Sequence, residues 1–342
     1  MLSISIFFCS RLAQGVIVSQ ILPDTTALYD RVRHHVLPAE WALMTPDVEA
    51  IWRLKAERDA VVLAHNYMTP EIYGGVADIT GDSLALAREA QEVDAEVIVM
   101  AGVHFMAETA KLLNPTRTVL IPDLRSGCSL AESITADQVR ALRAAHPGVP
   151  VVTYVNTSAA VKAESDICCT SGNATRVIES LGTDRVIMLP DQHLARNVAR
   201  QTGVEVITHP GACEVHERFT PHDIRQIRAD HPGVVVMAHP ECPTEVVDEA
   251  DLSGSTADMT SFVARERPAR VALITECSMS DNVAAAHPDV DFVRPCNLCP
   301  HMKRNTLAAI RRSLQTLTHE VTIDPAVADR ARAAVERMLA VG

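Results

Sequence analysis

The chain has 342 residues, 47% of them hydrophobic and only 4% aromatic, and a formal net charge of −12. That composition suits an aliphatic α/β core. With no basic run and no aromatic-basic interleaving it argues against nucleic acid as a partner, and no apolar stretch approaches the roughly 20 residues of a membrane-spanning helix, so no membrane partner is expected.

Residues 1–46 read as an N-terminal extension and linker. Within them MLSISIFFC is apolar but lacks a basic start, and Arg11 follows closely, which argues against a cleaved signal peptide. Residues 47–58, DVEAIWRLKAER, form an amphipathic helix leading into the first strand.

From there four blocks recur three times in the same order. An apolar strand runs into a polar tip: VVLAHNY at 61–67, VVTYVNT at 151–157 and VVVMAHPE at 234–241. An aspartate and a short loop lead to a hydroxyl that opens a helix, in DITGDS to Ser83, DICCTS to Ser171 and DLSGST to Thr256. A strand and helix follow: EVIVMAGVHFMAETA from 96, RVIMLPDQHLARNVA from 185 and RVALITECSMSDNVA from 270. A last strand, TVLIP, EVITHP or DFVRP, leads to Cys128, Cys213 or Cys299, a spacing of about 85 residues. Short β-branched runs alternating with helical segments indicate parallel sheets covered on both faces.

The expected fold is therefore α/β, with three pseudo-symmetric three-layer αβα units whose short parallel sheets surround a central site. The units are expected at 47–128, 129–213 and 214–302. Two more helices follow Cys299, the second starting at Pro325 behind the cap Asp324. Having no counterpart in a fourth repeat, residues 303–342 are expected to pack back on the first unit.

Open parallel sheets bind ligands beyond the carboxyl ends of their strands, against helix amino ends. The recurring polar residues all fall there, so units that face one another would collect them in one cavity. Ser83, Ser171 and Thr256 would cap helices whose amides favour an anion. In so acidic a chain, helix ends, histidines and Lys111 are the available sources of local positive potential.

Nine cysteines without a signal peptide or a small loop-rich scaffold point to metal or redox chemistry rather than to disulfides. Only Cys296 and Cys299 make a CxxC, so paired zinc spacing is absent. Three single cysteines, one per repeat, would instead hold an iron–sulfur cluster with one iron open to act as a Lewis acid. Cys168, Cys169, Cys242 and Cys277 read as buried small hydrophobes. Two other readings remain open on the residues alone: a different iron–sulfur hydro-lyase, and a zinc-binding, non-catalytic regulator built on Cys296 and Cys299.

Over residues 47–340 the chain resembles the quinolinate synthase family. The resemblance rests on LAHNY, GDSLALA, GVHFMAETAK, GCSLA, TYVNTSAAVKAESDICCTSGN, LPDQHLARN, HPGACEVH, HPEC, GSTADM and CPHMKRNTL, all in order. It implies a cytoplasmic enzyme of NAD biosynthesis with a [4Fe-4S] cluster on Cys128, Cys213 and Cys299. The reaction it implies condenses iminoaspartate with dihydroxyacetone phosphate to quinolinate, phosphate and two waters, with a functional link to an aspartate-oxidising enzyme. His65, Ser83, Tyr154, Asn156, Ser171, His239, Glu241 and Thr256 match the family's substrate pocket. Tyr67, Glu241, His239 and His216 match its catalytic positions. Many members carry a CxxCxxCP motif, whereas this chain has only Cys296 and Cys299, which removes a disulfide built on the full motif and leaves Cys296 without a role.

Overall fold

The computed structural model describes residues 23–342; the remainder of the expected N-terminal extension lies outside the described residues. Two helices open it, α1 (Thr25–Val32) and α2 (Pro38–Arg58). The helix expected at 47–58 is thus the second half of a longer one, which Pro38 starts in the first turn where its missing N–H costs nothing.

The first unit contains β1 (Ala60–His65), α3 (Pro70–Tyr73), β2 (Ile79–Gly81), α4 (Ser83–Glu92), β3 (Val97–Ala101), α5 (His104–Leu113) and β4 (Thr118–Leu120). The second has α6 (Ser129–Glu132), α7 (Ala136–Ala145), β5 (Val151–Tyr154), α8 (Ala159–Ala163) and β6 (Ile167–Cys169). It continues with α9 (Ala174–Ser180), β7 (Arg185–Leu189), α10 (Gln192–Thr202) and β8 (Glu205–Thr208). The third has α11 (Pro221–Asp230), β9 (Val235–Ala238), α12 (Thr244–Glu249), β10 (Leu252–Ser253) and α13 (Thr256–Glu266). It ends in β11 (Arg270–Ile274), α14 (Cys277–Ala286) and β12 (Asp291–Val293), before α15 (Leu307–Thr316) and α16 (Pro325–Val341).

Three four-stranded parallel sheets result, ordered β2-β1-β3-β4, β6-β5-β7-β8 and β10-β9-β11-β12. The expected three-unit α/β architecture is present, with one addition. The loops expected between each aspartate and hydroxyl contain short edge strands, β2, β6 and β10, of two or three residues each, too short to carry a period in sequence. In every sheet the order reverses between its second and third members, which opens a crevice at their carboxyl ends.

Both faces of each sheet are covered, and side-chain alternation divides the core accordingly. In the third sheet Val236, Ala272 and Ile274 pack with Phe219 and Ile224 on one face. Met237, Val271 and Leu273 pack with Met259, Val263 and Phe292 on the other. Of the C-terminal helices, α15 lies against α2 and β3, while α16 lies chiefly against α8 and β6, with α5 and α9 beside it. No helix among the described residues is long and apolar enough to cross a membrane.

The recurring aspartates have a structural use. Asp78 Oδ2 accepts from the Val62 amide at 2.8 Å, Asp166 from Val151 at 2.7 Å and Asp251 from Val236 at 2.8 Å. Each also pairs with a cation from the helix before the unit's first strand, Lys55 of α2 at 2.7 Å, Arg143 of α7 at 2.6 Å and Arg228 of α11 at 3.0 Å. The same cations donate to the carbonyl two residues before the aspartate, at Val76, Glu164 and Glu249. Each device locks a helix, a strand start and the edge strand together.

The three locks differ in depth, and their removal should differ accordingly. Lys55 is 5% exposed, and burial pulls its ammonium down to about 8 against the opposing pull of Asp78. Asp78→Ala strands a buried cation and is expected to lower the unfolding free energy by about 3 kcal/mol. Asp251→Ala frees only a half-exposed arginine and is expected to cost roughly 1 kcal/mol. Urea unfolding of the two variants measures the difference; equal losses would contradict it.

Candidate active site

At the carboxyl ends of β1, β5 and β9 the three units surround a cavity. Its wall contains His65 at the end of β1 and Tyr67 after it, Tyr154 at the end of β5 and Asn156 after it, and His239 and Glu241 after β9. Ser83 and Thr256 reach it from the first turns of α4 and α13, and Ser171 from the turn before α9. Cys128, Cys213, Cys299 and His216 complete the set, so every residue expected from the sequence as a catalytic, substrate-binding or cluster position borders one space.

The hydroxyls are not the helix caps that were expected. Asp82 caps α4 by accepting from Ala85 at 2.8 Å, and Ser255 caps α13 by accepting from Asp258. Ser83 and Thr256 are therefore first helical residues whose hydroxyls need not serve the backbone; Thr256 Oγ1 accepts from Asn66 at 2.9 Å. Ser171 precedes the α9 cap, Asn173. Lys111 is not at the site either: its ammonium donates to the Arg117 carbonyl at 2.7 Å and meets Glu320 at 3.2 Å. No lysine or arginine lines the cavity among the described residues, so helix amides and neutral donors supply what positive potential it has.

Glu241 is the centre of the polar wall. It is 3% exposed, its Oε2 lies 2.7 Å from His216 Nδ1, and its Oε1 accepts from the Tyr154 hydroxyl. Burial alone would raise its carboxyl, but His216 and Tyr154 outweigh that and hold it well below the usual carboxylate range. His216 Nε2 lies 2.9 Å from Thr275 Oγ1, and Thr275 Oγ1 lies 2.6 Å from the Tyr67 hydroxyl. A continuous chain, Tyr154–Glu241–His216–Thr275–Tyr67, thus crosses all three units.

Burial sets the remaining protonation states. It pulls His65 down to about 4 and His239 to about 3, so both are neutral imidazoles near pH 7. Burial, reinforced by Glu241, pushes both Tyr67 and Tyr154 well above the phenol range and keeps them as donors. His239 stacks on His216 with centroids 4.5 Å apart, and Asn156 Oδ1 is buried without a partner.

The donor atoms that converge closely enough to hold one metal ion are Cys213, His216 and Glu241, all within 4.8 Å of one another. This corrects the expectation of a cluster held by three cysteines: Cys128 and Cys299 line the cavity but do not belong to the converging set. The reason is local. Cys213 and His216 stand three residues apart in one turn that projects both inward, with His216 Nδ1 3.2 Å from Cys213 Sγ, and β9 delivers Glu241 opposite them. Each of the three cavity cysteines nevertheless faces backbone amides two and three residues on: Leu130 and Ala131, Val215 and His216, His301 and Met302. Burial raises all three thiols, Cys128 to about 12, and these amides oppose it; a part-buried, cavity-lining sulfur in such an amide turn, as at Cys213, suits an iron–sulfur group.

A second correction concerns Cys277 and Cys296, which form a disulfide across Cα atoms 4.9 Å apart. The pairing follows from the adjacency of β11 and β12, continued by a bridge between Glu276 and Asn297 that sets the two cysteines side by side. Cys296 thus holds the loop before Cys299 to the start of α14. Sequence reasoning also missed Thr275 and Glu276. Thr275 follows a strand and carries no motif, and its role arises only when the first unit brings Tyr67 to it. Glu276 is fully buried and holds Lys303 at 2.8 Å and the Cys299 amide at 3.3 Å.

The chain is similar to known proteins along most of its length. A family profile described as "Quinolinate synthetase A protein" matches residues 49–340. "Quinolinate synthase 1" of Mesorhizobium japonicum is 69% identical over 322 residues, 94% of this chain and 99% of its own length. "Quinolinate synthase" of Agrobacterium fabrum is 69% identical over 316 residues, 92% of each chain. That of Caulobacter vibrioides is 56% identical over 330 residues, 95% of this chain and 90% of its own.

Thr275 offers a test of the chain of hydrogen bonds. Thr275→Val leaves the buried Tyr67 hydroxyl and His216 Nε2 without a partner and is expected to lower stability by about 2 kcal/mol. Thr275→Ser keeps the oxygen and should stay within about 1 kcal/mol of the parent, the loss being one buried methyl. Chemical unfolding of both variants decides; equal losses would show that the methyl, not the hydroxyl, is what matters.

Proposed function

This chain belongs to the quinolinate synthetase A family, matched along most of its length, and on that premise we propose that its cavity condenses iminoaspartate with dihydroxyacetone phosphate to give quinolinate, phosphate and two waters. Quinolinate synthase activity as such follows from family membership. The observation that carries the finer reading is the buried, ionised Glu241 tied to proton donors from all three units.

The substrates are anions with many acceptor oxygens, and the cavity offers donors without fixed cations. The free amides of α4 and α13 and the hydroxyls of Ser83, Ser171 and Thr256 suit a phosphate or carboxylate. Asn156, with an unpartnered oxygen, suits the imine or amine nitrogen as a donor. Neutral His65 and His239 donate or accept without adding charge.

Triose tautomerisation and ring closure require a base that removes protons from carbon and acids that protonate departing hydroxyls. In this reading Glu241 accepts the proton, Tyr154 and His216 share it, and Tyr67 acts through Thr275 on the opposite wall. Enclosure between the units keeps bulk water from the imine, which water would hydrolyse. The same lability makes an aspartate-oxidising enzyme the natural supplier.

Family membership implies an iron–sulfur cofactor. We place a cofactor of [4Fe-4S] type at the cysteine-lined wall, with Cys213 its sulfur ligand from the converging set and Cys128 and Cys299 beside it. When bound, it supplies a concentrated positive charge next to the substrate oxygens.

Two experiments test this. Glu241→Gln keeps shape and removes the base, so quinolinate formation should fall by about 10² or more while iron and sulfide contents hold. Unchanged turnover would move the proton chemistry elsewhere. Cys213→Ala, purified without oxygen, should lose iron, sulfide and visible absorption, whereas Cys168→Ala, buried in β6 away from the cavity, should keep them. Zinc without sulfide in the parent protein would overturn the cofactor assignment.

A further inference from the structure

The helix after the third strand of each unit, β3, β7 or β11, carries a polar residue at the same repeat position: Glu108 in α5, Asn197 in α10 and Asn282 in α14. None of the three lines the cavity, and each reaches out of its own unit. Asn282 Nδ2 donates to the carbonyls of Asn66 at 3.0 Å and Met68 at 2.8 Å, in the loop that presents His65 and Tyr67. Asn197 Nδ2 donates to the carbonyls of Pro240 at 2.9 Å and Cys242 at 3.1 Å, in the loop that presents His239 and Glu241. In both cases the carbonyls lie one and three residues after the strand-end histidine. Glu108 Oε2 accepts from the Ala159 amide at 2.9 Å, at the end of the loop that presents Tyr154 and Asn156.

We propose that Glu108, Asn197 and Asn282 are positioning residues that form a closed ring of clamps, in which each unit fixes the site loop of the next: first to second, second to third, third to first. The polarity at each seat matches what the loop leaves unpaired. A strand end turning away from its sheet exposes carbonyls, which an amide NH2 can bridge in pairs. The second loop instead runs straight into α8, whose first amide has no partner within the helix, and a carboxylate satisfies it. Asn197 and Asn282 are 4% and 7% exposed, so water cannot replace them, and Thr244 Oγ1 donates to Asn197 Oδ1 at 3.0 Å to fix its orientation. Each loop therefore takes its geometry from a neighbouring unit as well as from its own strand.

The proposal rests on the reading of these loops as the reacting wall, and its test separates the two. Hydrogen–deuterium exchange of the whole protein, read by peptide, is compared with quinolinate turnover at a temperature where every variant is folded. Asn282→Asp is isosteric but turns an acceptor toward two carbonyls; it should speed exchange about tenfold in residues 65–69, in another unit from the substitution. Asn197→Asp should do the same in residues 239–244. Glu108→Gln keeps an acceptor and should leave residues 155–160 protected, whereas Glu108→Ala should loosen them. In the two asparagine variants kcat should fall by about 10² with KM changed less than about threefold, because the loops are displaced rather than removed. Should an aspartate variant not fold, the corresponding alanine variant, which removes the donor without adding charge, is read in the same way. Exchange that rises only within the substituted unit, evenly along the chain, or not at all overturns the ring. Loosening at the expected loop with unchanged kcat upholds the ring and counts against the assignment of Glu241 and Tyr67.

Discussion

A carboxylate with almost no access to water has to be surrounded by donors, and Glu241 is such a group. Its donors come from different units: Tyr154 from the end of β5 in the second, and His216 from the turn between β8 and α11 that opens the third. His216 is itself held by Thr275 at the end of β11, and Thr275 by Tyr67 from the first unit. No unit alone can satisfy this charge. The requirement that it be satisfied adds to the apolar core shared by the first two sheets a polar tie between units around one cavity.

The frame is built so that this demand can be met. Away from the cavity, the aspartate locks repeat with the same partners in every unit and act within a unit. Toward the cavity the repeat diverges: Glu108 stands where the other units have asparagines, and the strand ends carry histidine in two units but Tyr154 and Val155 in the second. Symmetry is thus kept where the task is to hold strands and given up where the task is chemistry on an asymmetric substrate. A cavity lined with helix ends and uncharged donors also avoids placing permanent cations beside the carboxylate, where they would compete for it.

Much of this was legible in the sequence because the repeat puts function at predictable places. Period and spacing located the three sheets and put their polar strand tips at one cavity, and the family resemblance singled out His65, Tyr154, His239 and Glu241 among them. What could not be read falls into two kinds. The edge strands were too short to show alternation. The remaining gaps depended on pairings between units or between strands: Thr275 has meaning only opposite Tyr67 and His216, and Cys277 meets Cys296 only because β11 and β12 are neighbours. The converging set of Cys213, His216 and Glu241 is of the same kind, because equal spacing of cysteines says that they occupy equivalent turns, not which atoms close on one another.

The position of α16 bears on how the chain is made. It covers α8 and β6 of the middle unit and reaches α5 of the first, and Arg330 and Arg337 tie it to Glu164 and Asp166 around the start of β6. During synthesis this helix emerges after everything it covers. The middle sheet, although translated before the third, therefore keeps an apolar flank open until residues 325–341 have left the ribosome, and a nascent chain has to carry that exposed surface through about half of its own translation.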